Sequence, residues 1–198
     1  MKNFKEHLDS YYLKYYYTDA LQYWHAPIAK NTAHKLANGK YVVNLDCDNF
    51  TGPKGGEFVI QQFEKFGDNL ILHQSSNIFG SGTMGRISMT KDNFLRLGGY
   101  NESFKPMAHQ DRDIIERAKL LKLKYRNDGK IIYNQAIKND KNLSTINCSK
   151  KYNYSFMMRL NKLISQFHIS HNELKVNNLY KDLKIGVDKK YLQFINEV

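Results

Sequence analysis

Two carboxylates two residues apart, Asp46-Cys47-Asp48, follow directly on a mostly apolar run, Tyr41-Val42-Val43-Asn44-Leu45. The run reads as a buried strand of the parallel type, so the pair falls at a strand end, where ligands of open α/β sheets bind. Hard oxygen donors at that spacing can hold a divalent cation, Mn²⁺ or Mg²⁺, and such a cation bridges and neutralises a diphosphate. This is chemistry for a phosphorylated leaving group. A second acidic group, Gln110-Asp111-Arg112-Asp113, opens a helix marked by Ile114, Ala118 and Leu121. A helix N-terminus favours a carboxylate at Asp111, which suits a general base and equally a structural cap. Asp113 is expected to pair with Arg112 or Arg117. By itself, either acidic group is as ordinary as a solvated turn.

Three further polar residues sit near these groups in the element order. Asn31 and His34 lie on the helix before the Asp-x-Asp strand, within reach of a ligand there, although His34 serves equally as a packed side chain. Arg86 follows a loop with Gly80, Gly82 and Gly85, and can meet a phosphate or form a plain ion pair. The histidines at 25, 109, 168 and 171 make no zinc-ligand grouping with a cysteine.

The elements that must position these residues follow from periodicity. Ala29, Ala33 and Leu36/Ala37 predict a helix over 28–38, closed at Gly39. Val59, Phe63 and Phe66 mark another helix, 70–73 a strand, and Ile87 with Met89 a short strand. Thr90 caps a helix to Leu97 that Gly98-Gly99 ends. Asn127-Asp128-Gly129 is a hairpin signal between 123–126 and 131–133. At the start, 2–13 reads as a helix and 14–17 as a strand. Phe156, Leu160, Leu163 and Phe167 predict a long amphipathic helix, and Tyr191, Leu192, Phe194 and Ile195 a short one. The reading is an α/β domain over 1–135 and a helical extension over 136–198.

Around these residues, Ala29-Lys30-Asn31-Thr32-Ala33-His34 and the stretch from Ala37-Asn38-Gly39-Lys40 to Asp46-Cys47-Asp48-Asn49 resemble the GT-A glycosyltransferases of the family-2 type. In that family a helix, a glycine, a strand and the Asp-x-Asp succeed one another. A second block is similar to relatives that include the animal β-galactosyltransferases: Gly85-Arg86-Ile87-Ser88-Met89, Phe94, Leu97-Gly98-Gly99-Tyr100-Asn101-Glu102 and His109-Gln110-Asp111-Arg112-Asp113. Ala136-Ile137-x-Asn139-x-Lys141, Asn161-Lys162-x-x-Ser165 and Leu174-x-x-Asn177 look like the tail of a bacterial subgroup.

The resemblance implies a GT-A, Rossmann-like α/β domain with a mostly parallel sheet, truncated at its N-terminus and followed by the helical extension. It implies Asp48 and Asp46 as ligands of Mn²⁺ or Mg²⁺ and Asp111 as the catalytic base of an inverting hexosyl transfer. Asn31, His34, Arg86 and Gln110 become substrate-binding candidates, with Gln110 standing where relatives commonly carry Glu. The implied donor is a nucleotide sugar, a UDP-sugar foremost, and the implied acceptor a glycan or lipid-linked hydroxyl in bacterial surface-polysaccharide synthesis. Asp46 comes early, because two complete βα units do not fit ahead of it when each βαβ takes about 30 residues or more. The expectation is therefore an exposed sheet edge, with self-association or completion by another polypeptide. The competing expectation is a catalytically silent remnant acting as a binding module.

Composition narrows the classes further. The 198 residues are 41% hydrophobic and 25% charged with only 3 Pro, which is globular rather than disordered. The net charge of +11 calls for an anionic partner, and residues 136–198 carry 11 basic against 5 acidic side chains. No nucleic-acid-binding motif accompanies that charge, so an anionic membrane surface is the expected contact and nucleic acid is not. Cys47 and Cys148 fit neither a disulfide framework nor a zinc site, which points to a reducing cytoplasm. No apolar run approaches the roughly 20 residues of a membrane span. The expected location is the cytoplasm, including its face of the membrane.

Overall fold

The computed structural model of the protein describes Lys14 and residues 16–76, 82–129, 135–137 and 140–177. The chain divides into two compact units, Met1–Gln22 with Lys181–Val198 and, separately, Tyr23–Tyr180. The second holds α1 (Ala26–Leu36), β1 (Tyr41–Val43), β2 (Asn49–Phe50), α2 (Gly55–Phe66), β3 (Leu70–His73), β4 (Ile87–Thr90), α3 (Lys91–Arg96), α4 (Gln110–Leu120), β5 (Lys124–Asn127), β6 (Gln135–Ala136), α5 (Lys141–Ile146) and α6 (Tyr154–Ser170). The expected helices at 2–13 and 191–195 and the strand at 131–133 lie outside the described residues. Of the expected strand over 14–17, Lys14 and Tyr16 lie outside regular structure and Tyr17 makes a single bridge.

β3 is the centre of the fold, with all four residues buried. Its unbroken Leu-Ile-Leu is the pattern of a strand covered on both faces. Leu70 and Leu72 pack with Phe58, Val59 and Phe63 of α2, while Ile71 packs with Phe94 and with Ile114, Ile115 and Ala118 of α4. The result is an α/β arrangement, helices on both sides of a small sheet.

That sheet has the order β1-β4-β3-β5. The expected mostly parallel sheet is replaced by a mixed one. β4 runs antiparallel to β1 (Val42↔Met89) and to β3 (Leu72↔Ser88), and only β3 and β5 are parallel (Ile71↔Tyr125). The cause lies in the connections: β5 is reached through α3 and α4, long enough for a crossover, whereas β4 simply returns beside β3. β1 is likewise not the buried parallel strand expected. It is a three-residue edge strand, with Val42 buried but Val43 40% and Leu45 43% exposed. Val42 covers one face against the core while Tyr41, on the other, stacks on Phe63, and among the described residues β1 stands at the end of the strand order.

α1 begins earlier than periodicity suggests, because Pro27 suits the first helical turn. It ends at Ala37 in extended backbone rather than at Gly39. Thr90 caps α3 as expected, its hydroxyl accepting from the Asn93 amide at 3.2 Å. Gly98 and Gly99, both at φ +70°, then turn the chain.

Buried polar side chains fix the path from that turn to α4. Arg117, with no exposed surface, donates two bonds to Asp113 Oδ2 (2.9 and 2.7 Å) and one each to the Leu97 and Gly99 carbonyls (both 2.8 Å). It also reaches the Leu174 carbonyl at 3.2 Å. Asn177 Nδ2 donates to the Gly98 and Tyr100 carbonyls at 2.6 Å. Asn161 of α6, fully buried, accepts from the Lys105 amide at 2.7 Å and donates toward the Lys105, Met107 and Ala108 carbonyls at 2.8–3.1 Å. Ala108 and His109 follow in left-handed backbone, φ +78° and +68°, a strained pair without glycine directly before α4.

α6 forms over the expected span but turned the other way. Met157, Asn161 and Ser165 are buried, whereas Phe156, Leu163 and Phe167 are 47%, 62% and 55% exposed. The hydrogen bonds of Asn161, rather than the apolar stripe, select the docked face.

The Arg117–Asp113 pair supplies a stability prediction. Breaking a buried pair on one side leaves an uncompensated charge, so Arg117→Met or Asp113→Asn is expected to cost about 3–5 kcal/mol. Urea denaturation followed by circular dichroism measures it, and a cost below about 1 kcal/mol in both variants contradicts this account of the turn.

Candidate functional site

The two acidic groups singled out by sequence meet at one side chain that the sequence reading assigned no role, Lys30. Its ammonium donates to Asp111 Oδ1 at 2.9 Å and lies 3.6 Å from Asp46 Oδ1. The Tyr100 ring centroid is 5.1 Å away, within cation–π range. Lys30 is only 8% exposed. Burial opposes its charge, but the Asp111 carboxylate, supported by Asp46, outweighs burial and holds the ammonium protonated above the ordinary lysine range. A signal for it exists in the helix period: Ala26, Lys30 and His34 share the inward stripe of α1, and a lysine on a buried stripe requires a counter-ion.

Asp46 is set by local backbone geometry. Asn44, buried past the end of β1, donates its Nδ2 to Asp46 Oδ1 (3.1 Å) and to the Gly85 carbonyl (2.8 Å). A Cβ at Gly85 would come within 2.6 Å of Asp46 Oδ2, so a larger residue there would displace the carboxylate. Asp48, two residues further, accepts from Asn49 Nδ2 at 2.7 Å, and its carbonyl accepts from the Ile137 amide at 2.7 Å. The β2–β6 pairing, Asn49↔Ala136 and Phe50↔Gln135, thus lays Ala136 and Ile137 alongside the acidic turn. Asp111, in the first turn of α4, is partly exposed, and its Oδ2 has no hydrogen-bond partner among the described residues.

The expected substrate-binding residues separate on inspection. Asn31 is 1% exposed, and its amide is spent on structure: Nδ2 donates to the Tyr100 carbonyl (2.8 Å) and Glu102 Oε1 (2.9 Å), and Oδ1 accepts from the Tyr100 amide (2.8 Å). A Cβ at Gly99 would collide with that oxygen, so Asn31 and Gly99 form one fitted contact. His34 is packed against Phe94, ring centroids 4.7 Å apart. Burial first, then the Lys30 charge, lowers it to about 4, so it is neutral at pH 7. Arg86 is buried, donating to the Phe50 carbonyl (2.7 Å) and Asn49 Oδ1 (3.2 Å). It therefore braces the turn that carries Asp48. Gln110 is 8% exposed, with a buried Oε1 that has no partner among the described residues. Asp113 pairs with Arg117, the second of its two expected partners.

The assembled site is two carboxylates, Asp111 and Asp46, within 2.9 and 3.6 Å of one buried ammonium, with Asp48 two residues beyond Asp46 on the same turn. Among the described residues no group of three or more His, Cys, Asp or Glu side chains converges on one point. No helix among them is long and apolar enough to cross a membrane. No protein-family model matches the chain, and no curated protein matches it significantly.

His34 gives the site a pH signature. Between the ordinary histidine value near 6.5 and about 4, the unfolded chain takes up a proton that the folded one refuses. Stability therefore falls as pH drops through that window, by about 3 kcal/mol in all. Urea midpoints at pH 7 and pH 4.5 are expected to differ for the wild type and to lie closer together for His34→Gln. Equal pH dependence in both proteins contradicts the assignment.

Proposed function

We propose that this chain belongs to a metal-dependent, inverting hexosyl transfer of the GT-A type, using a nucleotide-sugar donor and a glycan or lipid-linked hydroxyl acceptor. The observation that carries the reading is the meeting of Asp46 and Asp111, from opposite ends of the α/β region, at the Lys30 ammonium. Such a transfer needs the diphosphate end of the donor and the acceptor base within one small space. The resemblance described above supplies the roles, and the α/β architecture with its mixed sheet accommodates them.

The donor set fits a hard cation. Asp46 and Asp48 would hold Mn²⁺ or Mg²⁺ through carboxylate oxygens carried on one short turn. When bound, the metal neutralises the leaving diphosphate. The other parts belong to the chain itself. Lys30 fixes Asp111 through Oδ1 and leaves Oδ2 to accept the proton of an acceptor hydroxyl. As that proton moves, the acceptor oxygen bonds to the anomeric carbon and the bond from that carbon to the diphosphate oxygen breaks, the electron pair leaving with the diphosphate. Lys30 cannot serve as the base, because its carboxylate partners keep it charged.

The Gln110 Oε1, buried without a partner among the described residues, is placed next to Asp111 in sequence and suits an acceptor hydroxyl or water. Asn31, His34 and Arg86 support the site from behind, holding the Tyr100 turn, the α1 packing and the Asp48 turn.

Donor hydrolysis and transfer assays with a UDP-hexose and Mn²⁺ test the proposal. The wild type is expected to turn over, and Asp48→Ala and Asp111→Asn to lose about 10²–10⁴-fold. Turnover that survives both changes removes the site assignment. Calorimetry showing no Mn²⁺-dependent nucleotide-sugar binding favours instead the silent binding module.

A further inference from the structure

The outward face of α6 is the largest feature that the site leaves unused. At 100° per residue, Phe156, Leu163 and Phe167 fall within an arc of about 40°. That arc lies opposite Met157, Asn161 and Ser165, which dock the helix. Phe156 is stacked on Tyr152, centroids 4.9 Å apart and ring planes nearly parallel, so the aromatic surface extends past the helix start. Leu143 and Ile146 of α5, which packs on α6, are 64% and 63% exposed. A monomer in water gains nothing from facing its apolar stripe outward while burying an asparagine and a serine.

The charge beside the stripe decides what covers it. Lys150, Lys151, Arg159 and Lys162 are all exposed, and residues 141–172 contain no Asp or Glu. An apolar stripe flanked by four cations, with its acids confined to the two ends at Asp140 and at Glu173, which bonds His168, is complementary to an anionic bilayer surface, into which aromatic and leucine side chains insert while lysine and arginine meet headgroup phosphates. We propose that the exposed face of α6, extended by Tyr152, docks the protein on an anionic membrane, with the helix lying in the plane of the interface. The inference stands independently of the transferase chemistry.

The full chain is mixed with phosphatidylcholine vesicles, and with vesicles in which about a third of the lipid is phosphatidylglycerol, and the bound fraction is read by co-sedimentation. Binding is expected only to the anionic vesicles and is expected to weaken with salt. Leu163→Ser with Phe167→Ser is expected to reduce partitioning by about tenfold or more. Arg159→Gln with Lys162→Gln is expected to reduce it by about fivefold per charge. All four positions are exposed, so thermal melts matching the wild type verify folding. Absence of wild-type binding to anionic vesicles overturns the proposal. So does unchanged binding by the Leu163/Phe167 variant, including the case where sedimentation velocity shows that this variant instead dissolves a dimer built on the same stripe.

Discussion

A buried charge must be answered inside the protein, and the path of this chain between its two acidic groups follows from that requirement. Arg117 has no exposed surface, so its guanidinium is met by Asp113 and by the carbonyls of Leu97, Gly99 and Leu174. Those carbonyls belong to three separate stretches: the end of α3, the glycine turn and the segment after α6. One fork-shaped cation ties them together, and its fixed donor geometry leaves little choice of arrangement. Asn161 and Asn177 extend the same logic with neutral amides. Between them they pair carbonyls of Gly98, Tyr100, Lys105, Met107 and Ala108 in a connection without regular structure.

The consequence reaches the site through α4. Asn161 binds the carbonyl of Ala108, the first of two left-handed residues, and α4 begins immediately after them with Gln110 and Asp111. Strain of that kind persists only where the surroundings determine it. Here a side chain from α6, far along the chain, does so. Asp111 is therefore positioned by the C-terminal segment as well as by its own helix. Lys30 completes the arrangement by joining Asp111 to Asp46 across the space between α1 and α4. The same docking of α6 through Asn161 turns its apolar stripe outward, so site geometry and exposed surface have one structural origin.

Much of this was legible in the amino-acid order. The Leu70–His73 strand, the Thr90 cap with the Gly98-Gly99 stop, the helix starting at Gln110 and the span of α6 all follow from local patterns, because period, capping and chain reversal are decided within a few residues. Strand direction was not legible. Val42, Val43 and Leu45 look the same whether a strand is central or lies at an edge, and pairing partners are set by distant segments.

What the sequence determined by itself is the inventory: an α/β chain, an Asp-x-Asp turn after a short strand, an acidic helix start and a basic, acid-free segment around α6. What only the tertiary structure decided is which of those residues face one another. Asn31, His34 and Arg86 could equally have met a ligand or the core, and the structure buries all three, Asn31 through its amide bonds, His34 against Phe94, and Arg86 against the Asn49–Phe50 backbone and side chain. Lys30 carried no distinguishing mark beyond its place on the inward stripe of α1, yet it is the residue on which Asp46 and Asp111 converge. The physical reason is that an ammonium takes its meaning from the charges within about 4 Å of it, and a linear order of residues does not contain those distances.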